Sequence, residues 1–238
     1  MPGLGTIINT AAIVVGGLLG LLFKNLLTKS MEDTLLKASS VCVLFIGIGG
    51  AMQHMLKITD GTLETSGSMM LIICFVLGSI VGELLDIEGA FERFGAWLRK
   101  KTHNESDTGF LSAFIHASLT VCIGAMAIVG SIQDGLLGDS SLLCAKAALD
   151  AVIILVMTAS MGKGSIFSAI PVALLQGGVT LLSRVLAPVF TEAAIANLSY
   201  TGSVMIFCVG LNLVWGKKIK VANLLPTLVF AALYALVF

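Results

Sequence analysis

One lysine and one aspartate stand together inside an apolar segment. In SLLCAKAALDAVIILVMTAS, which starts at Ser141, Lys146 and Asp150 are four residues apart, so on a helix they share a face and can pair. At ~1.5 Å of rise per residue, Asp150 lies roughly 13 Å into the segment, near the middle of a hydrocarbon core. An ionisable group there costs about 2.5–3.5 kcal/mol on insertion scales. The pair predicts either a structural ion pair or a site for passage of a solute or proton.

Polar segments flank this pair on both sides. Gln133-Asp134-Gly135 ends the previous apolar run, and MGKGSIFSAIPVALLQGG follows from Met161 to Gly178. Glycines and Pro171 in the second segment fit either an unwound stretch that lines a cavity or a tight turn followed by a kinked helix. Unwound backbone can bind an ion or solute. The predicted substrate-binding residues are Gln133, Asp134, Lys146, Asp150, Gly162, Gly164, Ser168 and Gln176.

Motifs for other chemistry are missing from the sequence. Gly162-Lys163-Gly164-Ser165 lacks the upstream glycine and the GK[ST] ending of a phosphate-binding loop. Neither HExxH nor GxSxG occurs. The five cysteines lie in apolar segments without a CxxC pair, which is typical of small buried hydrophobes. We therefore expect no enzyme activity, no metal site and no cofactor.

The composition predicts the elements that position these residues. Of 238 residues, 57% are hydrophobic and 12% charged, against about 25% charged in a soluble domain. Long apolar runs without the alternation of a barrel strand predict membrane-spanning helices. The runs cover 3–23, 38–56, 68–86, 110–132, 141–160, 164–187, 200–215 and 221–238. The predicted fold is an all-α polytopic transmembrane helical bundle of about seven to eight spans, forming one integral membrane domain over 1–238.

The charged residues predict how this bundle is oriented. Two charged connections, 25–37 and 87–101, are expected to form amphipathic helices at the lipid headgroups. Eleven of the fourteen basic residues follow odd-numbered spans, which makes those connections cytoplasmic and both termini extracytoplasmic under the positive-inside rule. The first eight residues carry no Lys or Arg and no cleavage site follows, so we expect no cleaved signal peptide.

Glycine patterns suggest close helix packing and an internal repeat. Gly16-x-x-x-Gly20 and Gly78-x-x-x-Gly82 each put two glycines on one helix face, for packing within the chain or at a subunit interface. AIVVGG, which begins at Ala12, resembles ALLQGG, which begins at Ala173. This match relates 1–100 to 161–238 as an inverted repeat of spans one to three against six to eight. Shared membrane composition is the alternative explanation. One Ser-Val…Gly pattern also recurs: Ser40, Val41 and Gly47 against Ser203, Val204 and Gly210.

Several of these segments carry a resemblance to a known family. They are GTIINTAAIVVGGLLG, GSIQDGLLGD, KAALD and MGKGSIFSAIPVALLQGG. Over nearly its full length the chain resembles the YdfK/YqgA-like family of uncharacterised bacterial inner-membrane proteins. The resemblance implies a multi-pass protein of the bacterial plasma membrane and, by analogy, a transporter. The family offers no established activity to carry over.

Two functions of different classes remain open from the sequence. The first is a transporter or channel for a small solute or ion, not driven by ATP, with a polar site near the membrane midplane. The alternative is a non-transporting membrane scaffold or sensor with protein partners and a dry interior. An intramembrane enzyme would need a catalytic constellation assembled from distant residues. The expected partners are the lipid bilayer, a small solute or ion and a second copy in a homo-oligomer; the balanced charge and 7% aromatics argue against nucleic acid.

Overall fold

The structure is a computed structural model that describes residues 2–24, 26, 28–59, 61–105, 107–123, 125–186 and 188–237. Within these ranges there are eleven α-helices, one antiparallel hairpin and two short 3₁₀ segments. The helices are α1 (Leu4–Lys24), α2 (Lys29–Met55), α3 (Ser68–Leu85), α4 (Ile87–Lys101), α5 (Phe110–Cys122), α6 (Ala125–Leu137), α7 (Ser141–Met161), α8 (Ala169–Leu181), α9 (Ser183–Leu186), α10 (Glu192–Trp215) and α11 (Pro226–Val237). The strands are β1 (Leu56–Thr59) and β2 (Thr62–Thr65), and the 3₁₀ segments Lys163–Ser168 and Val221–Leu224 lead into α8 and α11.

Most of these helices are suited to cross a membrane. Among the described residues, six helical segments are long and apolar enough to do so: α1, α2, α3, α7, α10 and the continuous stretch Lys163–Leu181. The pair α5 and α6 adds a seventh span that is bent by 60°. A shorter apolar segment, Val221–Leu236, ends the series. The prediction of an all-α transmembrane helical bundle is confirmed, with six to seven candidate spans among the described residues against the seven to eight expected.

Glycines line the most extensive helix–helix contact of the described residues, which is the one between α1 and α7. A Cβ atom built on Gly16 would lie 2.3 Å from the carbonyl oxygen of Ala151, and one built on Gly20 would lie 2.4 Å from that of Leu155. Both residue numbers rise together, so the two helices run parallel with their backbones touching. On α3, Gly78 lies as close to Thr227 of α11, and Gly82 lies as close to Asn223 in the 3₁₀ segment before α11. The GxxxG pairs therefore pack helices within the chain.

The other long helices pack antiparallel. Gly47 of α2 faces Phe207 of α10, while Gly210 of α10 faces Leu44 of α2. On α3, Gly78 meets Thr227 and Gly82 meets Asn223, so α11 runs against α3. If each span crosses in turn, α1 begins and α11 ends at the same end of the bundle, which we call the N-terminal end.

The bundle is apolar on its outside as well as inside. Leu22, Phe45, Leu84 and Leu174 are each more than 60% exposed, while Phe110 and Phe114 are fully buried where α5 meets its neighbours. An exposed apolar surface of this extent matches hydrocarbon rather than water. The polar residues inside the bundle are therefore the informative ones.

Three sequence expectations about the elements need correction. The segment 25–37 is not a separate surface helix, because Lys29 to Lys37 form the first turns of the 27-residue α2. Span four is not one straight helix, since it breaks between α5 and α6. Span seven begins at Glu192 rather than residue 200, and the hairpin after α2 was not predicted. The second surface helix, by contrast, matches α4 at both ends.

A group of charged residues fastens α4 to the chain that leads into α11. Glu88 is 4% exposed; its carboxylate accepts a hydrogen bond from the backbone N–H of Ala222 at 3.0 Å and pairs with Lys217 at 2.9 Å. Its backbone N–H donates to the side chain of Asn223 at 2.7 Å. We call this set the interfacial charge cluster: Glu83, Glu88, Glu92, Lys217, Lys220 and Asn223.

Candidate functional site

The lysine and aspartate of α7 form a buried ion pair. Lys146 Nζ lies 2.5 Å from Asp150 Oδ2, and the two residues are 7% and 3% exposed. The same carboxylate oxygen accepts a hydrogen bond from Asn9 Nδ2 of α1 at 3.0 Å. Asn9 lies within hydrogen-bond distance of Asp150 because Gly16 and Gly20 let α1 pack directly against α7. A buried pair with a supporting amide holds its charges in place, although such pairs add little net stability.

Lys146 also reaches the break in span four. Its ammonium donates to the backbone carbonyl of Val121 at 2.9 Å. Val121 lies in the last turn of α5, and Ile123 leaves the helix in an extended conformation with ψ 121°. In an unbroken helix the Val121 carbonyl would accept a hydrogen bond from the backbone N–H four residues later. The break leaves this carbonyl available to Lys146, whose positive charge is favoured at the negative end of α5. The ion pair and the broken span are therefore one connected unit.

Asp134 of α6 holds the start of α1. Its Oδ2 atom accepts hydrogen bonds from the backbone N–H groups of Gly3 at 3.1 Å and Gly5 at 3.0 Å. These are free donors at the positive end of a 21-residue helix, where a carboxylate is favoured. The residue is fully buried, and its second oxygen, Oδ1, has no hydrogen-bond partner. Asp134 therefore brings a carboxyl group into the bundle, and no basic side chain among the described residues pairs with it.

The C-terminal half of α8 lies at the level of these groups. Ile166, just before α8, meets Gly17 of α1, whereas Thr180 meets Gly135, the residue after Asp134. The segment therefore runs antiparallel to α1 toward its N-terminal end. Gln176 is one turn before Thr180 and is 1% exposed, yet neither its Oε1 nor its Nε2 has a partner.

Eight buried polar residues lie on four helices, α1, α6, α7 and α8, of which α1 and α6 contact each other and both of the remaining two. We call them the intramembrane polar cluster: Thr6, Asn9, Ser131, Asp134, Lys146, Asp150, Gln176 and Thr180. All are buried. Six of them carry an oxygen without a hydrogen-bond partner, and the amide nitrogen of Gln176, Nε2, also has no partner. A partnerless buried polar atom costs about 1–3 kcal/mol, so folding alone gives no reason for this concentration.

The structure brings only some of the predicted site residues into this cluster. Asp134, Lys146, Asp150 and Gln176 belong to it. Gln133 is half-buried and adjoins it in sequence. The glycine-rich segment lies elsewhere: Gly162 has φ +104° and lies near Lys24, at the far end of α1.

The two remaining predicted residues serve local packing. A Cβ on Gly164 would lie 2.0 Å from the carbonyl oxygen of Phe110, so glycine permits the approach of α5. Ser168 Oγ donates to the carbonyl of Ser165 at 2.7 Å. Pro171 is the third residue of α8 and does not kink it, because proline is tolerated in a first helical turn. The segment is a turn with a 3₁₀ start, and the broken span is instead span four, at the junction of α5 and α6.

Four cluster residues were not predicted: Thr6, Asn9, Ser131 and Thr180. Small polar residues in membrane helices commonly bond their own backbone or a neighbouring helix, so their types gave no signal. The break before α6 had only a weak one, a lone glycine at position 124 inside an apolar run. The described residues contain no group of three or more His, Cys, Asp or Glu that could hold a metal ion.

The transmembrane bundle and its buried ion pair place this chain among polytopic helical membrane proteins with paired charges inside the bundle. A family model described as "Protein of unknown function (DUF554)" matches residues 4–236, and the chain belongs to that family. The resemblance seen in the sequence is thereby confirmed.

Two bacterial relatives match almost the whole chain. It is 26% identical over 224 residues to the uncharacterized membrane protein YdfK of Bacillus subtilis (strain 168), covering 94% of this chain and 92% of the relative. It is 25% identical over 235 residues to the uncharacterized protein YqgA of Escherichia coli (strain K12), covering 96% and 94%. No solved structure matches significantly.

Proposed function

We propose that this membrane protein transports a small solute or ion, without ATP, through the intramembrane polar cluster. The observation that carries the proposal is the set of buried polar atoms without partners around the Lys146–Asp150 pair. Polar groups are expensive inside a bilayer and mark pathways more often than scaffolds. No covalent chemistry is part of the proposal, so the protein is not proposed to be an enzyme.

The charges of the cluster favour a cation or a cation-bearing solute. Lys146 pairs with Asp150, whereas Asp134, in the part of the chain that the structure describes, is bonded by backbone N–H groups and by no basic side chain. Of the seven cluster atoms without hydrogen-bond partners, six are oxygens, which are the ligand atoms that hard cations prefer. A surplus of one carboxylate and several free oxygens supports the entry of positive charge.

Lys146 provides a way for occupancy to change the conformation. Its ammonium bonds both Asp150 and the free carbonyl of Val121 at the break between α5 and α6. A cation or proton at Asp150 competes with Lys146 for the same carboxylate oxygen. Releasing the lysine would free the end of α5, so the bent span is the proposed moving element.

The proposed pathway runs between the two repeat halves. Within the cluster, α1 opens the first half and α8 opens the second, with α6 and α7 between them. The contacts of Gly47 with Phe207 and of Leu44 with Gly210 exchange under an offset of 163 residues, the difference between 47 and 210 and between 44 and 207. This exchange supports an inverted repeat of spans one to three and six to eight, around which inward and outward states alternate.

The proposed location is the bacterial plasma membrane, with both termini outside. Lys24 and Lys29 lie at the end of the bundle opposite the start of α1. The Lys and Arg residues of α4 follow span three, which ends on the same side. The positive-inside rule then supports a cytoplasmic position for that end.

Flux through proteoliposomes tests the transport proposal. Purified protein would be reconstituted and assayed for uptake of radioactive sodium and rubidium, and for H⁺ and NH₄⁺ movement with a pH-sensitive dye. We expect flux of at least one of these cations, and its loss in Asp150→Asn. The matched control is Asp33→Asn, an exposed aspartate that pairs with a lysine four residues on, and it should transport normally. Undiminished flux by folded Asp150→Asn removes Asp150 from the mechanism.

The alternative function, a non-transporting scaffold or sensor, makes the opposite prediction. Wild-type vesicles would then pass none of these cations. The melting temperature of the detergent-solubilised protein would also stay constant when choline chloride is replaced by sodium, potassium or ammonium chloride. Both results together would exchange the first proposal for the second.

A further inference from the structure

A polar cavity lies at the N-terminal end of the bundle, outside the intramembrane polar cluster. It has a volume of about 240 Å³ and lies where α2 ends, α3 begins and α10 begins. At roughly 30 Å³ per water molecule, this space fits a small organic molecule rather than a single ion. Six polar residues line it: Gln53, His54, Lys57, Ser66, Asn197 and Tyr200.

Tyr200 shows that the cavity is more than a gap between helix ends. The residue is 2% exposed, and its hydroxyl is buried without a hydrogen-bond partner. Buried tyrosine hydroxyls usually find a partner. Gly67 stands beside the ring with φ +73°, and a Cβ there would lie 3.2 Å from Tyr200 Cε1. Glycine at this position keeps the space next to the ring open.

The hairpin fixes the opposite wall. Ser66 N–H donates to the carbonyl of Met55 at 2.8 Å, which ties the end of β2 to the end of α2. Lys57 in β1 stands opposite Glu64 in β2. The wall that carries His54 and Lys57 is therefore held by backbone hydrogen bonds.

Among the described residues, the lining is rich in hydrogen-bond donors and contains no carboxylate. Lys57 supplies an ammonium, and Tyr200, Ser66 and the two amide side chains can donate to oxygen. Two described acidic residues on these elements are Glu64 and Glu192, the latter one turn before Ala196; both are exposed and neither lines the cavity. The lining itself is thus cationic.

We propose that this cavity binds a small anion with carboxylate or phosphate oxygens, with Lys57 as its charge partner and the Tyr200 hydroxyl as a buried donor. The site is separate from the transport pathway proposed above and has the opposite charge preference. A soluble organic acid and the phosphate of an anionic lipid headgroup share this chemistry. Both are candidate ligands because the cavity lies at the end of membrane-spanning helices.

Binding to the full-length protein in nanodiscs tests the site. Succinate and inorganic phosphate would be titrated by calorimetry in phosphatidylcholine nanodiscs, and thermal stability would be compared with that in phosphatidylglycerol nanodiscs. Saturable binding in phosphatidylcholine supports a soluble anion. Stabilisation by phosphatidylglycerol that Lys57→Gln abolishes supports a lipid headgroup. The absence of both effects overturns the proposal.

Variants then tie binding to the cavity. Lys57→Gln should weaken the effective anion about tenfold, the value of one charge-assisted hydrogen bond. Tyr200→Phe should weaken it about fivefold without loss of folding, since the hydroxyl bonds nothing in the protein. Glu64→Gln should tighten binding by removing the acid opposite Lys57. Unchanged affinity in Lys57→Gln, or weaker binding in Glu64→Gln, contradicts an anion site.

Two controls separate this site from the rest of the molecule. Lys37→Gln removes an exposed lysine from the opposite end of α2 and should leave the affinity unchanged. Asp150→Asn should abolish cation flux and leave anion binding intact. A loss of anion binding in Asp150→Asn would contradict the separation of the two sites.

Discussion

The two charged clusters of this protein differ in how completely their polar groups are satisfied. In the interfacial charge cluster, Glu88 and Asn223 bond both side chains and backbone between α4 and the segment before α11. In the intramembrane polar cluster, the central ion pair is bonded as tightly, yet six neighbouring residues keep atoms without partners. The first arrangement is sufficient to fasten a helix. The second arrangement keeps buried polar atoms whose missing hydrogen bonds lower the stability of the fold. A purely structural cluster would not need such atoms, which indicates a role in binding.

The largest effect is expected from breaking the ion pair of the intramembrane polar cluster. Asp150→Leu leaves the Lys146 ammonium buried without its carboxylate, so the free energy of unfolding should fall by about 3–5 kcal/mol. Denaturant unfolding in detergent measures this. Adding Lys146→Met to the same chain should recover most of the loss, because the double variant buries no charge. A single variant as stable as wild type would contradict the buried pair.

A smaller loss is expected in the interfacial charge cluster. Glu88→Ala removes the acceptor of the Ala222 N–H and the partner of Lys217, which should cost about 1–3 kcal/mol. Cation flux per folded molecule should remain at the wild-type level. If Glu88→Ala abolished flux in a folded protein, the assignment of this cluster to structure alone would be wrong.

An opposite sign is expected at Gln176. Its amide is buried without partners, so Gln176→Leu should raise the free energy of unfolding by about 1 kcal/mol. The same unfolding assay detects the gain. A loss of stability would mean that the amide makes bonds that fasten the bundle.

The smallest effect concerns pH and the Lys217 ammonium. Burial acts to lower the pKa of Lys217, but hydrogen bonds to Glu92 and Glu88 outweigh it and raise the pKa above 10.5. A raised pKa stabilises the fold fully below the ordinary value and loses this contribution as the pH rises through the raised one. Melting temperatures of wild type and Lys217→Met should therefore converge at strongly alkaline pH. A difference that persisted there would assign the effect to packing of the lysine chain.

The sequence predicted what depends on long apolar runs and on costly charges. The spans and α4 followed from hydropathy, and Lys146 and Asp150 stood out because ionisable groups are rare at that depth. The glycine-rich segment 161–178 was not a reliable indicator of a binding site, since the same residues permit either an unwound stretch or a plain turn with close packing at Gly164. The partners of the pair came from elsewhere in the chain. Asn9 and Val121 meet it only through helix packing, and no local pattern encodes that contact.

Cation flux by folded Gln176→Leu in proteoliposomes, with stability measured on the same preparation, separates a binding role of the partnerless groups from a folding role. We expect flux to fall at least tenfold while the protein becomes no less stable, because the substitution removes a group that serves binding rather than folding. Wild-type flux for every cation by this folded variant would contradict the claim that the partnerless polar groups form the pathway.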